Sequence, residues 1–103
     1  MIVRLWRGRA AGANADAYER HVTTAVFPRL AELDGFLRGR VFRRTLDRGV
    51  EFLVTTEWES WAAIRAFAGD DPNRAAVEPH ARAVLSDFDT HVDHYELVHD
   101  SEA

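Results

Sequence analysis

The amino-acid sequence predicts one α+β domain over residues 1–103, in which a four-stranded antiparallel sheet carries helices on one face. Three observations lead to this fold class. Apolar, β-branched runs suited to strands alternate with stretches whose apolar residues recur at helical spacing. A turn segment, Leu46-Asp47-Arg48-Gly49, joins two of the runs as an antiparallel hairpin. A chain of 103 residues has room for one hydrophobic core. The resulting order is β-α-β-β-α-β, a ferredoxin-like arrangement.

The first half of the chain predicts a strand followed by a long helix. Residues 2–7 form the strand, and a loop at residues 8–12 closes it. Asn14 or Asp16 can cap the helix, whose apolar residues recur every three or four positions: Tyr18, Val22, Ala25, Val26, Leu30 and Leu33. Pro28 removes a backbone donor and should kink this helix. Gly35 fits the left-handed position that follows a helix.

The second half predicts two strands, a helix in two pieces and a last strand. Strands at residues 36–44 and 50–58 flank the hairpin turn. Ser60 is a suitable N-cap for a helix that starts at Trp61, and Asp70-Asp71-Pro72 breaks the chain after it. A further helical stretch from about residue 73 to residue 87 is interrupted or restarted at Pro79. Residues 91–98 form the final strand.

The predicted strands are apolar on both faces. One side of the third strand presents Phe52 and Val54, while the opposite side still presents Leu53. In the first strand Ile2 and Trp6 oppose apolar neighbours in the same way. A sheet with one face in water alternates more cleanly than this. We therefore expect a second copy of the chain to cover the open face, which predicts a homodimer.

Composition excludes several classes of function. The formal charge is −4 with both signs interspersed, so nucleic acid is not an expected partner. All 13 basic residues are Arg, and there is no Cys, which excludes lysine Schiff bases, thiolate nucleophiles and disulfides. Without Cys, without a pair of histidines on one face and without a glycine-rich phosphate loop, we expect no metal, flavin or nicotinamide cofactor. The charged N-terminus and the lack of a long apolar run predict a cytoplasmic protein without a membrane partner.

Several motifs occur together over nearly the whole chain. They are Gly35-Phe36, Trp58-Glu59-Ser60, Phe67, Asp71-Pro72 and the closing His94-Tyr95-Glu96-Leu97. In these motifs and in its order of elements the sequence resembles the antibiotic biosynthesis monooxygenase family of the dimeric α+β barrel superfamily. The resemblance implies a barrel shared by two sheets, with a cavity between the sheet and the helices of each subunit. Some members of the family oxygenate aromatic polyketides or quinols with dioxygen and no cofactor, others bind and degrade haem, and many have no known activity.

Of the four functional residues in the pattern of the polyketide-oxidising members, this sequence has one. The strand-end Trp of that pattern is Trp58 here. Its pocket Asn falls on Val54, its helix Tyr on Ile64, and its Arg near Glu78.

Of the functional residues in the pattern of the haem-degrading members, this sequence has none at the matching positions. The first-strand Asn of that pattern falls at about Arg7, its helix Trp on Phe67, and its axial His near Val77. His80 lies one helical turn further on and could substitute as the axial ligand, although Pro79 alters the register. Haem degradation is therefore the less favoured interpretation.

The histidines offer the main candidates for acid–base chemistry. His91 and His94 lie three apart on a strand and point to opposite faces, so they cannot chelate one metal ion without a bulge. His94 shares a face with Glu96, and a carboxylate beside it could raise its pKa and make it a base for a phenolic substrate. Alternatively, His94 is a structural hydrogen-bonding residue. His21 and the Arg4 and Arg7 pair are expected at the surface or at an interface.

The aromatic residues around the third strand are candidates for a pocket wall. We predict His94 and Trp58 as catalytic residues, and five others as substrate-binding residues: Phe67, Trp61, His80, Ile64 and Val54. Trp58 and Trp61 could equally be core residues that supply apolar area, and His80 could be a solvated surface group.

Two hypotheses about function remain open at this point. The first is a cofactor-independent monooxygenase that oxidises a small electron-rich aromatic, such as a quinol or an anthrone, with dioxygen. The second is a non-catalytic dimer that binds a small hydrophobic molecule. A fold does not decide between them, because function depends on the site that the fold carries.

Overall fold

A computed structural model describes all 103 residues of the chain. Five strands and four α-helices follow one another: β1 (Ile2–Ala10), α1 (Gly12–His21), a π-helical segment (Val22–Val26), α2 (Phe27–Leu30), β2 (Phe36–Leu46), β3 (Gly49–Trp58), α3 (Trp61–Ala68), α4 (Pro79–Val84), β4 (Asp87–Phe88) and β5 (Asp93–Glu96). The predicted α+β class and the β-α-β-β-α-β order are confirmed. The main departure lies between α3 and β5, where a helix was predicted over residues 73–87 and the structure has a short helix, α4, and a short strand, β4.

The strands form one antiparallel sheet with β1 near its centre. β1 pairs with β3 along its whole length, from Ile2 opposite Trp58 to Ala10 opposite Val50. β2 pairs with the outer edge of β3. On its other edge β1 pairs with β5 near its start and with β4 near its end, so these two short strands together fill the fourth place in the sheet.

The first helix runs from Gly12 to Leu30 through the π-helical segment. Within that segment the Phe27 N–H donates to the Val22 carbonyl five residues back. Pro28 follows directly, near the start of α2. The predicted irregularity at Pro28 thus takes the form of a wider turn just before the proline, which lacks an N–H to continue the α-helical pattern. The expected cap at Asn14 or Asp16 is wrong, because α1 already begins after Ala11 without a side-chain cap.

The second helical region agrees with prediction in its first piece and in the restart at Pro79, where α4 begins. Ser60 caps α3, since its Oγ accepts from the Ala63 N–H at 3.2 Å. The helix predicted over residues 73–87 is wrong except for α4. Instead the chain near Asn73 pairs with the segment before β5, where the Val92 N–H donates to the Asn73 carbonyl at 2.8 Å. Such distant pairings override the local helical spacing.

The core lies between the helices and one face of the sheet. Trp58, Phe52 and Ile64 are its largest fully buried side chains. The opposite face of the sheet leaves Phe42 and Tyr95 exposed. None of the helices has both the length and the apolar character needed to cross a membrane.

Candidate functional site

A cavity of about 340 Å³ lies between the sheet and the first helix. Strands β1 and β3 form its floor, the helix from α1 to α2 forms one wall, and residues 75–78 close another side. Most of its lining is apolar: Trp6, Tyr18, Val22, Val26, Phe27, Leu30, Val54, Phe67, Ala75, Ala76, Val77, Ala81 and Val92. The polar and charged residues of the lining are Arg4, His21, Arg29, Thr56 and Glu78. Its size and character are those of a site for a small, mostly apolar ligand.

Arg4 brings a positive charge into this apolar cavity. Arg4 is 5% exposed, and no carboxylate forms an ion pair with it. The guanidinium donates to the carbonyls of Pro72 and Arg74, the latter at 3.0 Å, and lies 5.7 Å from the Phe67 ring centre. Burial lowers the pKa of Arg4 to about 10, which leaves it charged at neutral pH. A buried cation without an acidic partner is suited to hold an anionic group of a ligand.

His94 lies behind Arg4 and packs 4.8 Å from the Trp61 ring centre. Its Nε2 is 3.0 Å from Arg4 Nη1. Since a guanidinium can only donate, Nε2 is assigned as the acceptor, and the proton of the neutral ring then resides on the buried Nδ1, which has no partner. Burial, and then the charge of Arg4, lower the pKa of His94, against a smaller opposite effect of Asp93.

The expectation of a raised pKa at His94 is therefore wrong. Glu96 does share the helix-facing side of β5 with His94, as their register opposite Ile2 and Arg4 shows. Its side chain is exposed, however, and the group in contact with the imidazole is a cation. A neighbouring positive charge disfavours imidazolium, which is the reverse of the effect of a carboxylate.

His21 stands in the cavity wall at the end of α1. Its side chain is 8% exposed, and its Nε2 is buried without a hydrogen-bond partner. Glu78 places Oε2 at 3.5 Å from that nitrogen, while its Oε1 accepts from Arg29 at 2.9 Å. The ring of His80 packs against that of His21 with centroids 4.4 Å apart. The cavity thus contains an imidazole and a carboxylate as well as a guanidinium.

The expectation that Arg4 and His21 are surface or interface groups is wrong. The signal for His21 is its position three residues after Tyr18, which places it on the same inner helix face. Arg4 lies between Ile2 and Trp6 in the alternating pattern of β1, and therefore faces the helices. Charge alone suggested the surface in both cases.

The substrate-binding residues predicted from sequence fall into three groups. Phe67 and Val54 line the cavity. Ile64 is fully buried in the core with Trp58, outside the lining. Trp61 and His80 are exposed, and each packs against a histidine, His94 and His21 respectively.

Trp58 supports the cavity wall from behind. It is fully buried and stacks on Phe67 at 5.2 Å between ring centres. Its Nε1 donates to Thr56 Oγ1 at 2.9 Å, and Phe36 packs against it edge-on at 5.3 Å. Of the two alternatives for Trp58, core residue or wall, the packing is that of a core residue. Phe67 and Thr56, which do line the cavity, are held in position by it.

Comparison with solved structures shows the same fold in several bacterial proteins. A candidate antibiotic biosynthesis monooxygenase from Bacillus cereus superposes with a TM-score of 0.66 at 15% identity, covering 100% of this chain and 96% of that one. The haem degrader MhuD from Mycobacterium tuberculosis gives 0.61 at 22% identity, covering 99% and 100%. The ActVA-Orf6 monooxygenase of Streptomyces coelicolor gives 0.50 at 24% identity, covering 69% and 62%.

Identities at this level establish the fold alone. A search of curated proteins found no match. The sequence pattern of one family, described as antibiotic biosynthesis monooxygenase, matches residues 1–79, from β1 to the start of α4. This range contains all residues that line the cavity except Ala81 and Val92. The resemblance found in the sequence is thereby confirmed, and the chain belongs to the antibiotic biosynthesis monooxygenase family.

Proposed function

We propose that the protein is a cofactor-independent monooxygenase that oxidises a small electron-rich aromatic, of the quinol or anthrone type, with dioxygen. The observation that carries the proposal is the buried, unpaired guanidinium of Arg4 in an otherwise apolar cavity of about 340 Å³. Direct reaction with dioxygen requires the substrate in its electron-rich anionic form. A fixed cation in a site of low dielectric stabilises that form.

The apolar lining supplies the second requirement of the reaction. Phe67 and Trp6 offer ring surfaces for a planar substrate, and Tyr18 packs beside Trp6 with ring centres 6.4 Å apart. Exclusion of water strengthens the attraction between Arg4 and the substrate anion. The Streptomyces coelicolor monooxygenase of the same fold has been solved with the ligand nanaomycin D, which supports a small organic ligand here.

The overall reaction balances without a cofactor. Dioxygen is reduced by four electrons, all of which come from the substrate. One oxygen atom forms a new bond to a substrate carbon, and the other leaves as water with two hydrogens from the substrate. The protein holds the substrate anion, excludes bulk water and assists proton transfer.

Within this proposal His94 is a positioning residue. It accepts from Arg4 and lies outside the cavity lining, so the substrate would meet Arg4 rather than the imidazole. Phe67 would contact the substrate, and Trp58 would hold Phe67 in place.

We also propose that the protein works as a homodimer through the open face of the sheet. That face combines exposed Phe42 and Tyr95 with Leu53, which lies opposite Phe42 in the register of β2 and β3. The cavity lies on the helix side of the sheet, away from this face, so the partner would stabilise the sheet rather than complete the site.

Oxygen consumption by the purified protein against a panel of quinols, anthrones and polyphenols tests the proposed function. We expect uptake with at least one of them, and a decrease in kcat/KM of about 10–100-fold in Arg4→Met, because a charge-assisted contact to the anion is lost. Arg48→Met, in the exposed hairpin turn, is the matched control and should keep the wild-type rate.

Two outcomes would contradict the proposal. Uptake that is equal in folded Arg4→Met and in wild type would remove Arg4 from the site. Binding of the aromatic compounds without any oxygen uptake would instead favour the non-catalytic binding protein. His80, the residue considered as an axial ligand for haem, is exposed and lies outside the cavity lining. The structure therefore does not support haem degradation at this residue.

A further inference from the structure

We propose that Tyr18 is a specificity-determining residue whose hydroxyl donates a hydrogen bond to a carbonyl oxygen of the ligand. The ligand is then an aromatic compound with a carbonyl on the side of α1 and an anionic oxygen at Arg4. This inference deepens the proposed function and rests on it for the oxidation step. The recognition of the carbonyl is tested by binding, without oxidation.

The Tyr18 hydroxyl borders the cavity and has no partner in the chain. Tyr18 is 3% exposed and lines the cavity. Its hydroxyl takes part in no hydrogen bond within the chain. The unpaired side-chain atoms that the protein encloses completely are His21 Nε2 and His94 Nδ1, so the Tyr18 oxygen is not enclosed. The space that this oxygen meets is the cavity that the residue lines.

The hydroxyl of Tyr18 is a donor at physiological pH. Burial raises the pKa of Tyr18, so the oxygen keeps its proton. The ring is held by Phe52 at 4.8 Å and by Trp6 at 6.4 Å between ring centres. A fixed donor in an apolar site favours a ligand that offers an acceptor there, because an apolar group in the same place leaves the hydroxyl unpaired.

Arg4 presents a second donor from the sheet. Its Nη1 and Nη2 donate to neighbours within the chain, whereas its Nε has no partner and is not enclosed. Arg4 precedes Trp6 by two residues on the helix-facing side of β1. Beyond Trp6 on that strand lies Gly8, which is opposite Phe52, the residue on which Tyr18 packs. A planar ligand on Trp6 therefore has the cation towards one end and the tyrosine towards the other.

The acceptor side chains of the lining are engaged or enclosed. Glu78 pairs with Arg29 at 2.9 Å. Thr56 Oγ1 accepts from Trp58 Nε1 at 2.9 Å, and His21 Nε2 is enclosed. The side-chain atoms left for a ligand are donors, which favours a ligand that supplies oxygens without protons: a carbonyl and an anionic oxygen.

Two matched pairs of benzoates test the proposal by binding alone. 4-Acetylbenzoate and 4-isopropylbenzoate share the ring and the carboxylate, and only the first has a carbonyl oxygen at the opposite end. 3-Acetylbenzoate and 3-isopropylbenzoate form the second pair, with this group closer to the carboxylate. The measured quantity is the Kd of the isopropyl compound divided by the Kd of the acetyl compound, from isothermal titration calorimetry.

In Tyr18→Phe this Kd ratio should fall about 3–10-fold for at least one pair, because the lost donor weakens binding of the ketone alone. A structural role would weaken both members of a pair equally and leave the ratio unchanged. Tyr95→Phe is the matched control. Tyr95 is the other tyrosine of the chain and is 59% exposed on the opposite face of the sheet, so this variant should keep the wild-type ratio.

The infrared band of the bound ketone gives a second readout that does not depend on a variant. In the wild-type complex the ketone stretch should lie at lower frequency than in methyl 4-acetylbenzoate dissolved in cyclohexane, because the carbonyl accepts a hydrogen bond. A band at the cyclohexane frequency overturns the proposal. So does an equal Kd ratio in wild type and folded Tyr18→Phe for both pairs, or the failure of all four compounds to bind at millimolar concentration.

The results distinguish this proposal from the oxygenase function. A Kd ratio that depends on Tyr18, without oxygen uptake for any substrate, supports the carbonyl site and contradicts the oxygenase. Oxygen uptake together with an unchanged ratio in Tyr18→Phe contradicts the carbonyl site and supports the oxygenase. If both proposals hold, Tyr18→Phe should raise KM about 3–10-fold for an aromatic substrate with a carbonyl, and should leave KM unchanged for a quinol without one.

Discussion

Arg4 determines the character of the cavity more than any other residue. It lies between two apolar residues of β1, is almost completely buried, and is held by two backbone carbonyls and by His94. These neutral partners take three of its five N–H donors without cancelling its charge. The charge lowers the pKa of His94 as well, so the two residues form one electrostatic unit.

Stability in mild acid should report on His94. Because its pKa in the folded protein lies below the ordinary value of 6.5, the unfolded chain binds more protons between the two values. The stabilising effect of the neutral ring is full above about pH 6.5 and is lost as the pH falls from there towards the folded pKa. We expect the melting temperature of wild type to fall between about pH 7.5 and about pH 5.5, and to fall less in His94→Gln, whose amide oxygen can still accept from Arg4.

His91→Gln is the control for that experiment. His91 is exposed, and the hydrogen bond of its ring is with Thr90 Oγ1, at 3.0 Å. It should show the same acid dependence as wild type. If the melting temperature falls equally in wild type and in His94→Gln as the pH is lowered, the contact with Arg4 does not destabilise the protonated ring of His94.

The connection between the first helix and β2 shows how a single residue fixes the arrangement of elements. Gly35 has a φ of 85°, and its carbonyl accepts from the Glu59 N–H at 2.8 Å, which links the end of the helix to the start of α3. A Cβ built at Gly35 would lie 2.5 Å from the Ala63 Cβ. Both the backbone conformation and the close approach to α3 therefore require glycine.

Gly35→Ala should lower the free energy of unfolding by at least about 1–3 kcal/mol, through backbone strain and the contact with Ala63. Gly12→Ala is the matched control. Gly12 is the first residue of α1, has no positive φ and has nothing within 4 Å of a new Cβ. It should be neutral or stabilising by up to about 1 kcal/mol. Urea unfolding of the two variants measures both effects, and equal stabilities would contradict the role given to Gly35.

The whole molecule leaves one face of its sheet without cover. Phe42 is 49% exposed and Tyr95 is 59% exposed, on the side opposite the helices. On the same face Arg44 and Glu51 lie next to the Phe42 and Leu53 pair and form an ion pair at 2.8 Å. Exposed apolar side chains on an uncovered sheet face are typical of a protein interface.

Light scattering at micromolar concentration should therefore give twice the chain mass of 11.7 kDa. Phe42→Glu, which would place a charged side chain in the contact between the two sheets, should yield the monomer. Leu33→Glu alters another exposed apolar residue, in the connection after α2, and should leave the dimer intact. A monomeric wild-type protein would remove the basis for the shared barrel.

The sequence by itself determined the order of the elements, the hairpin, the Ser60 cap and the turn at Gly35. Each of these depends on neighbouring residues, whose periodicity, capping groups and φ preferences are local properties. The strands, which are apolar on both faces, predicted that a second copy covers the open face of the sheet. The motifs along the chain identified the family.

Only the tertiary structure decided the site. It brought Arg4 from the first strand, His21 from the first helix and Glu78 from the loop before α4 to one cavity, and placed Trp58 behind the wall rather than in it. It also replaced a predicted helix after residue 72 with a segment that pairs with residues 90–92. The burial of a charge, the partner of a histidine and the pairing of distant backbone segments depend on contacts between residues far apart in the chain, which periodicity and spacing do not contain.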